Sequence, residues 1–332
     1  MKVIEKVEKK FWIDVARNCS YATFFHTPYY SELMTKTFPF RDITKGFLFD
    51  DGTRVVFPFL QRKKNLFRGF LSDYVSGLLY VYGGPIADKE LSEQKLDEII
   101  EYINSTFLKY DNILIRGNSF FQNITPKGFQ EIKDSSHVAE LFKCDSEEDL
   151  FKSYAKRYRS YIRKAQKSGT LVVKEASTLD EYERLYKLYQ QTIQYWDKIL
   201  TDYPFQLFQN IYYIKCKDIK LWTVYYENNM IGGDVTLYWN DNCCMWLSYH
   251  DREYSKLHQR RYMLHHVFLD CKEKGIKYYD FLQSGGIKGL EEFKESMGGQ
   301  VYPHSAWLKE NDFLKKMRGI KRNMTSFLKR EQ

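Results

Sequence analysis

The sequence predicts an α/β protein in two domains, each a mixed sheet flanked by helices. Three observations predict it. The chain has 332 residues, near the length of two ordinary domains. Hydrophobic residues make up 43% and aromatic residues 17%, enough to fill packed cores and too much for a disordered chain. Short aromatic and β-branched runs also alternate with stretches of helical period along its whole length.

Taken in order, "HTPYYSELMTKTF" reads as a turn followed by a short helix. "KGFLFDDGTRVVFPFLQRKK" holds two apolar runs around Asp51-Gly52, a hairpin signal. "LLYVYGGPIAD" reads as a strand that stops at Gly83-Gly84-Pro85. Leu96, Ile99, Ile100 and Ile103 recur at helical spacing behind Ser92, a suitable N-cap. "NILIRG" is a short strand. The second half begins near "HVAELF", which places domains at 1–137 and 138–312. Ser146 to Asp149 fits a capping box, and the helix it opens is expected to run to Gly169. A further helix covers Thr178 to about Trp196. "IKLWTVYYENNMIGGDVTLYWNDNCCMWLSYH" is three strand-like runs parted by "ENN" and "NDN". "RRYMLHHVFLDCKEKG" is a helix that stops at Gly275, "IKYYDF" a strand, and "QVYPHSAWL" the last strand.

Residues 313–332 form a segment of their own. Phe313, Met317, Ile320, Met324, Phe327 and Leu328 recur at helical spacing among Lys315, Lys316, Arg318, Lys321, Arg322, Lys329 and Arg330. Such a basic amphipathic helix suits an anionic membrane surface, or else docks on its own domain.

The net charge of +8 points to an anionic partner without choosing among phosphates, RNA and acidic lipid. The start, "MKVIEKVEKKFWIDVARNCS", has scattered charges and no apolar core, so it does not read as a signal peptide. No apolar run approaches the roughly 18 residues of a membrane span. A cytoplasmic location, with peripheral contact to the inner membrane face through the tail, is the expectation. Cys19, Cys144, Cys216, Cys243, Cys244 and Cys271 have no metal-ligand spacing and read as plain thiols. The seven histidines form no HExxH cluster, so no metal is expected.

Two stretches carry candidate chemistry. In "YAKRYRSYIRKAQKSG", Tyr154, Tyr158, Tyr161, Ile162 and Ala165 fall on one helical side and Lys156, Arg157, Arg159, Arg163, Lys164 and Lys167 on the other. No Asp or Glu interrupts the stretch, so its cationic face is either solvated or a dock for phosphates. In "DFLQSGGIKGLEEFKESMGG", Asp280 ends a strand, and Gln283, Ser284, Gly285 and Gly286 form a loop that leads to Phe293 and Lys294. Backbone N–H groups of such a loop hold an oxyanion or phosphate. Lys294 beside it is placed to stabilise charge developing on a carbonyl oxygen, and Asp280 to orient an amine or take its proton. The competing reading makes Asp280 a loop cap and Lys294 a surface residue.

These motifs, together with "TPYYSELM" and "YVYGGPI", resemble the FemAB-like branch of the GNAT acyltransferase superfamily, over nearly the whole chain. The resemblance implies two GNAT-like domains and an enzyme forming amide bonds on an amino group of a peptidoglycan or polysaccharide precursor. It maps the family's F-K pair onto Phe293 and Lys294 and its acid onto Asp280. Lys156, Arg157, Arg159, Arg163 and Lys164 map onto its basic helix, and Tyr82, Gly83 and Gly84 onto an acceptor-holding segment at the domain cleft. The acceptor it implies is a nucleotide-sugar or lipid-linked precursor. No tightly bound cofactor is implied; the co-substrate is acyl-CoA or aminoacyl-tRNA, so tRNA is a candidate partner. The chain departs from the family in three places. "HDREYSKLHQRRYML" has no glycine where acetyl-CoA-using relatives carry a pyrophosphate loop. "KLYQQTIQYWDKILTDYPFQLF" is too short for the inserted helical hairpin of some tRNA-dependent members, and "TIQYWDK" lacks an Arg found after the Thr in this branch. Two other classes remain compatible with the residues: a non-catalytic GNAT-like protein that binds an anionic ligand, and an RNA-binding module, for which no recognised motif is present.

Overall fold

A computed structural model describes residues 1–64, 71–78, 80–107, 112–121, 125–195 and 202–310. In the first half, β1 (Lys2–Ile4) leads to helices α1 (Lys9–Asn18) and α2 (Pro28–Thr37), then β2 (Phe40–Asp42), β3 (Lys45–Leu48), β4 (Arg54–Phe57), β5 (Leu60–Lys64), β6 (Leu71–Ser76) and β7 (Ile86–Ala87). Helix α3 (Glu93–Phe107), β8 (Asn112–Arg116) and β9 (Gln130–Glu140) complete it. The second half holds α4 (Glu147–Ser153), α5 (Lys156–Ser168), β10 (Leu171–Glu175), α6 (Leu179–Ile193), α7 (Phe205–Tyr213), β11 (Ile219–Tyr226), β12 (Asn229–Trp239), β13 (Asn242–His250), α8 (Gln259–Glu273), β14 (Tyr278–Gln283), α9 (Lys288–Ser296) and β15 (Gly299–Lys309). The tail read as an amphipathic helix lies outside the described residues.

Two sheets form among the described residues. The smaller has the order β1-β3-β4-β7; the larger runs β10-β11-β12-β13-β14-β9-β15-β8-β6-β5-β2 and so crosses both halves. The join is made by β15. It pairs antiparallel with β9 from Gly299↔Ala139 to Leu308↔Gln130, and on its other edge with β8 from Ala306↔Arg116 to Lys309↔Ile113. The boundary expected at 137/138 falls inside β9.

One core fills each half, and a third lies between them. There Trp12, Phe24, Leu33 and Tyr82 pack with Leu185, Phe208, Leu221 and Trp239. Burying these rings drives the two halves together, because each apolar ring removed from water contributes a few kcal/mol. Polar anchors fix the fit: the Trp239 indole N–H donates to the Ala16 carbonyl at 3.0 Å, and Arg17 lies 3.4 Å over the Trp239 ring.

Two expectations are corrected. The helix opened at Ser146 does not run to Gly169. It stops at Tyr154, which is extended, and a new helix starts at Lys156. Arg159 causes the break to hold, donating to the carbonyls of Tyr154 and Lys152 at 2.9 and 2.7 Å and so satisfying the end of α4. The described residues of "LLYVYGG" also form no strand: β6 stops before them at Ser76, and Tyr80 has a φ of 63° in a loop that carries Tyr82 inward.

Candidate functional site

The site forms where two strands part. β13 and β14 run parallel and pair only from Asn242↔Tyr278 to Cys244↔Asp280. Beyond that point β13 carries a bulge that leaves Trp246 opposite no residue of β12. A cavity of about 540 Å³ opens between the diverging ends, lined by Met245 to Arg252 on one side and Phe281 to Ser284 with Phe293 and Lys294 on the other.

β14 has its own irregularity. Its pairing with β9 jumps from Asp280↔Val138 to Gln283↔Ser136, and Leu282 adopts a φ of 59°. A left-handed conformation costs a branched residue roughly 1–2 kcal/mol. It turns both polar groups of Leu282 toward site residues. The Leu282 N–H donates to Asp280 Oδ1 at 2.7 Å, and Lys294 Nζ donates to the Leu282 carbonyl at 2.8 Å. One strained residue therefore holds the acid and the lysine in fixed relation, the placement in which strain serves a site.

Both groups are deeply buried, Asp280 at 0% and Lys294 at 3% exposed. Burial pushes Asp280 up to about 6, against hydrogen bonds from Tyr82 and the Leu282 N–H, the attraction of Lys294 and nearby Ser136. Burial also pushes Lys294 down to about 7, with Asp280 pulling it back up and Arg260 adding to the fall. A lysine near half-charged at neutral pH at a cavity wall is a perturbed group of the kind found at working sites. Lys294 lines the cavity; Asp280 sits behind the wall, its Oδ2 accepting from the Tyr82 hydroxyl at 2.7 Å.

Tyr82 is held from the other half of the chain. An added Cβ at Gly83 would lie 2.2 Å from the Ser76 carbonyl carbon, so only glycine lets these two backbone segments touch. The Gly83 N–H donates to the Arg116 carbonyl at 2.8 Å, and the Gly83 carbonyl sits 2.8 Å from His26 Nε2. His26 Nδ1 accepts from the Thr23 N–H at 3.0 Å, so Nε2 carries the proton and donates. Burial holds His26 down at about 4, in its neutral form. Gly83 and Gly84 are buried in this backbone contact and do not face the cavity.

The rim is cationic. α8 opens with Arg260 and Arg261 after His258, whose ring stacks on Tyr161 at 3.9 Å and 12°. Arg261 lies 3.7 Å over Tyr158, and Arg157 bonds the Tyr158 hydroxyl. Burial lowers His258, as do Arg261, Arg157 and Lys164, three cations within electrostatic reach of it. Arg260 lies 3.9 Å over the Phe293 ring, a cation–π contact. The basic helix thus divides. Arg157 and Lys164 turn to the rim. Arg159 caps α4, and Arg163 pairs with Glu148 at 2.7 Å, an acid supplied by the neighbouring helix. Lys156 is exposed.

The loop after β14 stays close by. Gln283 and Ser284 are buried and line the cavity, and the Ser284 Oγ and Gln283 Oε1 have no hydrogen-bond partner among the described residues. Gly285 and Gly286 are exposed; a Cβ on Gly285, whose φ is 60°, would lie 3.1 Å from the Tyr80 hydroxyl. Leu282, His26, Arg260, Arg261 and His258 were not singled out from the sequence. The "RR" at the head of "RRYMLHH" was a readable signal; a left-handed Leu was not.

Among the described residues, no group of three or more His, Cys, Asp and Glu is arranged to hold a metal, and no helix is long and apolar enough to cross a membrane. Five of the six cysteines are buried free thiols, and Cys216 is partly exposed.

Residues 152–295 match the acetyltransferase (GNAT) domain family. No curated protein matches the sequence. Solved structures similar in fold include FemX, at 12% identity and a TM-score of 0.66 over 92% of this chain and 97% of that one. L-PGS from Bacillus licheniformis has 10% identity and a TM-score of 0.55, over 98% and 99% of the two chains. The C-terminal domain of a protein named as a lysylphosphatidylglycerol synthetase from Agrobacterium fabrum has 8% identity and a TM-score of 0.58, over 93% of each chain.

Proposed function

For a chain that carries a GNAT domain within a FemAB-like GNAT fold, we propose N-acyl or N-aminoacyl transfer to an amino group of a cell-envelope precursor. One observation carries the reading: Lys294 is buried at the wall of the cavity between the parting strands, beside Arg260 and Arg261, which sit over the Phe293 and Tyr158 rings. In the proposed step the acceptor amine attacks the donor carbonyl. The carbonyl oxygen becomes an oxyanion, to which the Lys294 ammonium donates. Collapse expels the thiolate of an acyl-CoA or the ribose oxygen of an aminoacyl-tRNA, and the amine's proton passes to that leaving group. Asp280 acts through space, keeping a buried lysine charged. Arg157, Lys164 and Arg261 bind phosphate of the donor.

The similarity in fold to a protein named for lysylphosphatidylglycerol supports a lipid-linked acceptor. The tail, as a contact to anionic membrane, is a proposal from sequence, and vesicle co-sedimentation of the chain with and without residues 311–332 tests it. A non-catalytic anion binder is the second reading, favoured by the lack of glycine between β13 and α8. The test pairs calorimetry with acetyl-CoA and with charged tRNA against mass spectrometry of an amine acceptor. Transfer that Lys294→Ala abolishes supports the reading. Donor binding without transfer, across nucleotide-sugar and lipid-linked acceptors, supports the second.

A further inference from the structure

We propose that Tyr82 is a positioning residue, through which the N-terminal half of the chain sets the charge of Lys294 in the C-terminal half. The geometry is a continuous line of contacts. The His26 imidazole fixes the Gly83 carbonyl at 2.8 Å, Gly83 fixes Tyr82, and the Tyr82 hydroxyl donates to Asp280 at 2.7 Å. Asp280 shares Leu282 with Lys294, at 2.7 and 2.8 Å. Tyr82 is fully buried and does not line the cavity, so it touches no substrate there and acts only through Asp280.

A second hydroxyl supports the same carboxylate. Ser136 on β9 lies beside Tyr82 and Asp280 and favours the charged carboxylate, and its Oγ lies 2.8 Å from the Ser119 Oγ, on a partly exposed residue of the first half. Asp280 is thus stabilised as an anion by the Tyr82 hydroxyl and the Leu282 N–H, with Ser136 close by, against burial that disfavours its charge. Lys294 in turn faces Asp280 and Glu291, which favour its charge, and Arg260, which opposes it. His137 on β9 also senses Lys294, together with Glu295. Cys244 on β13 lies beside Asp280. Of these, Asp280 is the strongest group favouring the lysine's charge, and Tyr82 donates a hydrogen bond to it.

Removing the Tyr82 hydroxyl takes away a donor to the carboxylate, which raises Asp280 and leaves it more often neutral at neutral pH. Lys294 then loses attraction and gives up its proton more readily. The inference rests on the proposed role of Lys294, but its test requires no substrate. Trace labelling of the full chain with acetic anhydride, read at Lys294 by mass spectrometry from pH 5 to 10, follows the neutral amine. For Tyr82→Phe the midpoint of Lys294 should fall. A fall of about half a unit would raise labelling at pH 6 between two- and threefold. Asp280→Asn should lower the midpoint further, and Tyr82→Phe added to Asp280→Asn should change nothing more. An unchanged midpoint in Tyr82→Phe, or the same fall in the Asp280→Asn background, overturns the proposal. If Tyr82→Phe does not fold, Ser136→Ala should move the midpoint in the same direction, and its failure to do so likewise overturns it. Transfer assays fail separately: a shifted midpoint with no activity in the unaltered chain leaves the line of contacts standing and removes the proposed function.

Discussion

Replacing Lys294 by Met should make the protein more stable and less active at once. The reasoning starts from burial, which takes Lys294 from the usual 10.5 to about 7. A gap of that size is worth about 5 kcal/mol against the charged form. The unfolded chain holds the lysine proton up to its ordinary range, while the folded chain releases it near 7. Between those values the unfolded state binds more protons, so the stability of the unaltered protein rises with pH. The cost of burying the charge is therefore complete below pH 7 and fades toward 10.5. Met removes that cost and its pH dependence. It also strands the Leu282 carbonyl that Nζ bonds at 2.8 Å, a loss of about 1–3 kcal/mol. The net expectation at pH 7 is a gain of a few kcal/mol, shrinking by roughly 1.4 kcal/mol for each unit of pH above it. Urea unfolding at pH 7, 8 and 9 measures this; without the attraction of Lys294 the buried Asp280 carboxyl titrates higher in the variant, a cost that subtracts from the gain. Transfer should fall by about two to three powers of ten where the parent lysine is charged, at and below neutral pH, as for loss of one oxyanion donor, and by less as rising pH neutralises that lysine. A Met variant less stable than the parent by the same amount at all three values would refute the argument and make Lys294 a structural residue.

Gly83→Ala should lower the melting temperature sharply and abolish transfer with it. Its Cβ would sit 2.2 Å from the Ser76 backbone, and Tyr82 must leave Asp280 to relieve the clash. His26, held neutral near 4, should make stability fall as pH drops from about 6.5 to 4, by about 3 kcal/mol, because the unfolded ring takes up a proton there and the folded one does not; His26→Gln should flatten that part of the curve in a denaturant titration. Arg261→Ala and Arg157→Ala should weaken donor binding in calorimetry, more at low salt than at high, whereas Arg163→Ala, whose partner is Glu148, should leave it within experimental scatter.

What was legible in the sequence follows the range of the interactions. The turn at Asp51-Gly52, helix α3, the β11–β13 meander and the strand, loop and helix from Tyr278 to Ser296 are each written in local pattern, and each is present. Asp280 and Lys294 could be named because they lie in one short segment. Their environment could not, since Tyr82 is 198 residues from Asp280 and His26 57 from Gly83. The cationic face could not be divided between its two readings for the same reason. Its acid, Glu148, belongs to a different helix, and only folding shows that Arg159 and Arg163 are spent on α4 while Arg157 and Lys164 remain for the rim.

The position of β15 has a consequence for synthesis of the chain. Residues 299–309 lie between β9 and β8, so each of these strands lacks one of its two neighbours until almost all of the described protein has been made. A nascent chain ending at residue 290 would leave one edge of each strand bare, open to pairing with another chain. The first half cannot mature on the ribosome and wait for the second, as the halves of many two-domain proteins do. Ribosome-bound chains stalled before and after residue 309 should therefore differ abruptly in resistance to protease, and the later one should protect both halves together.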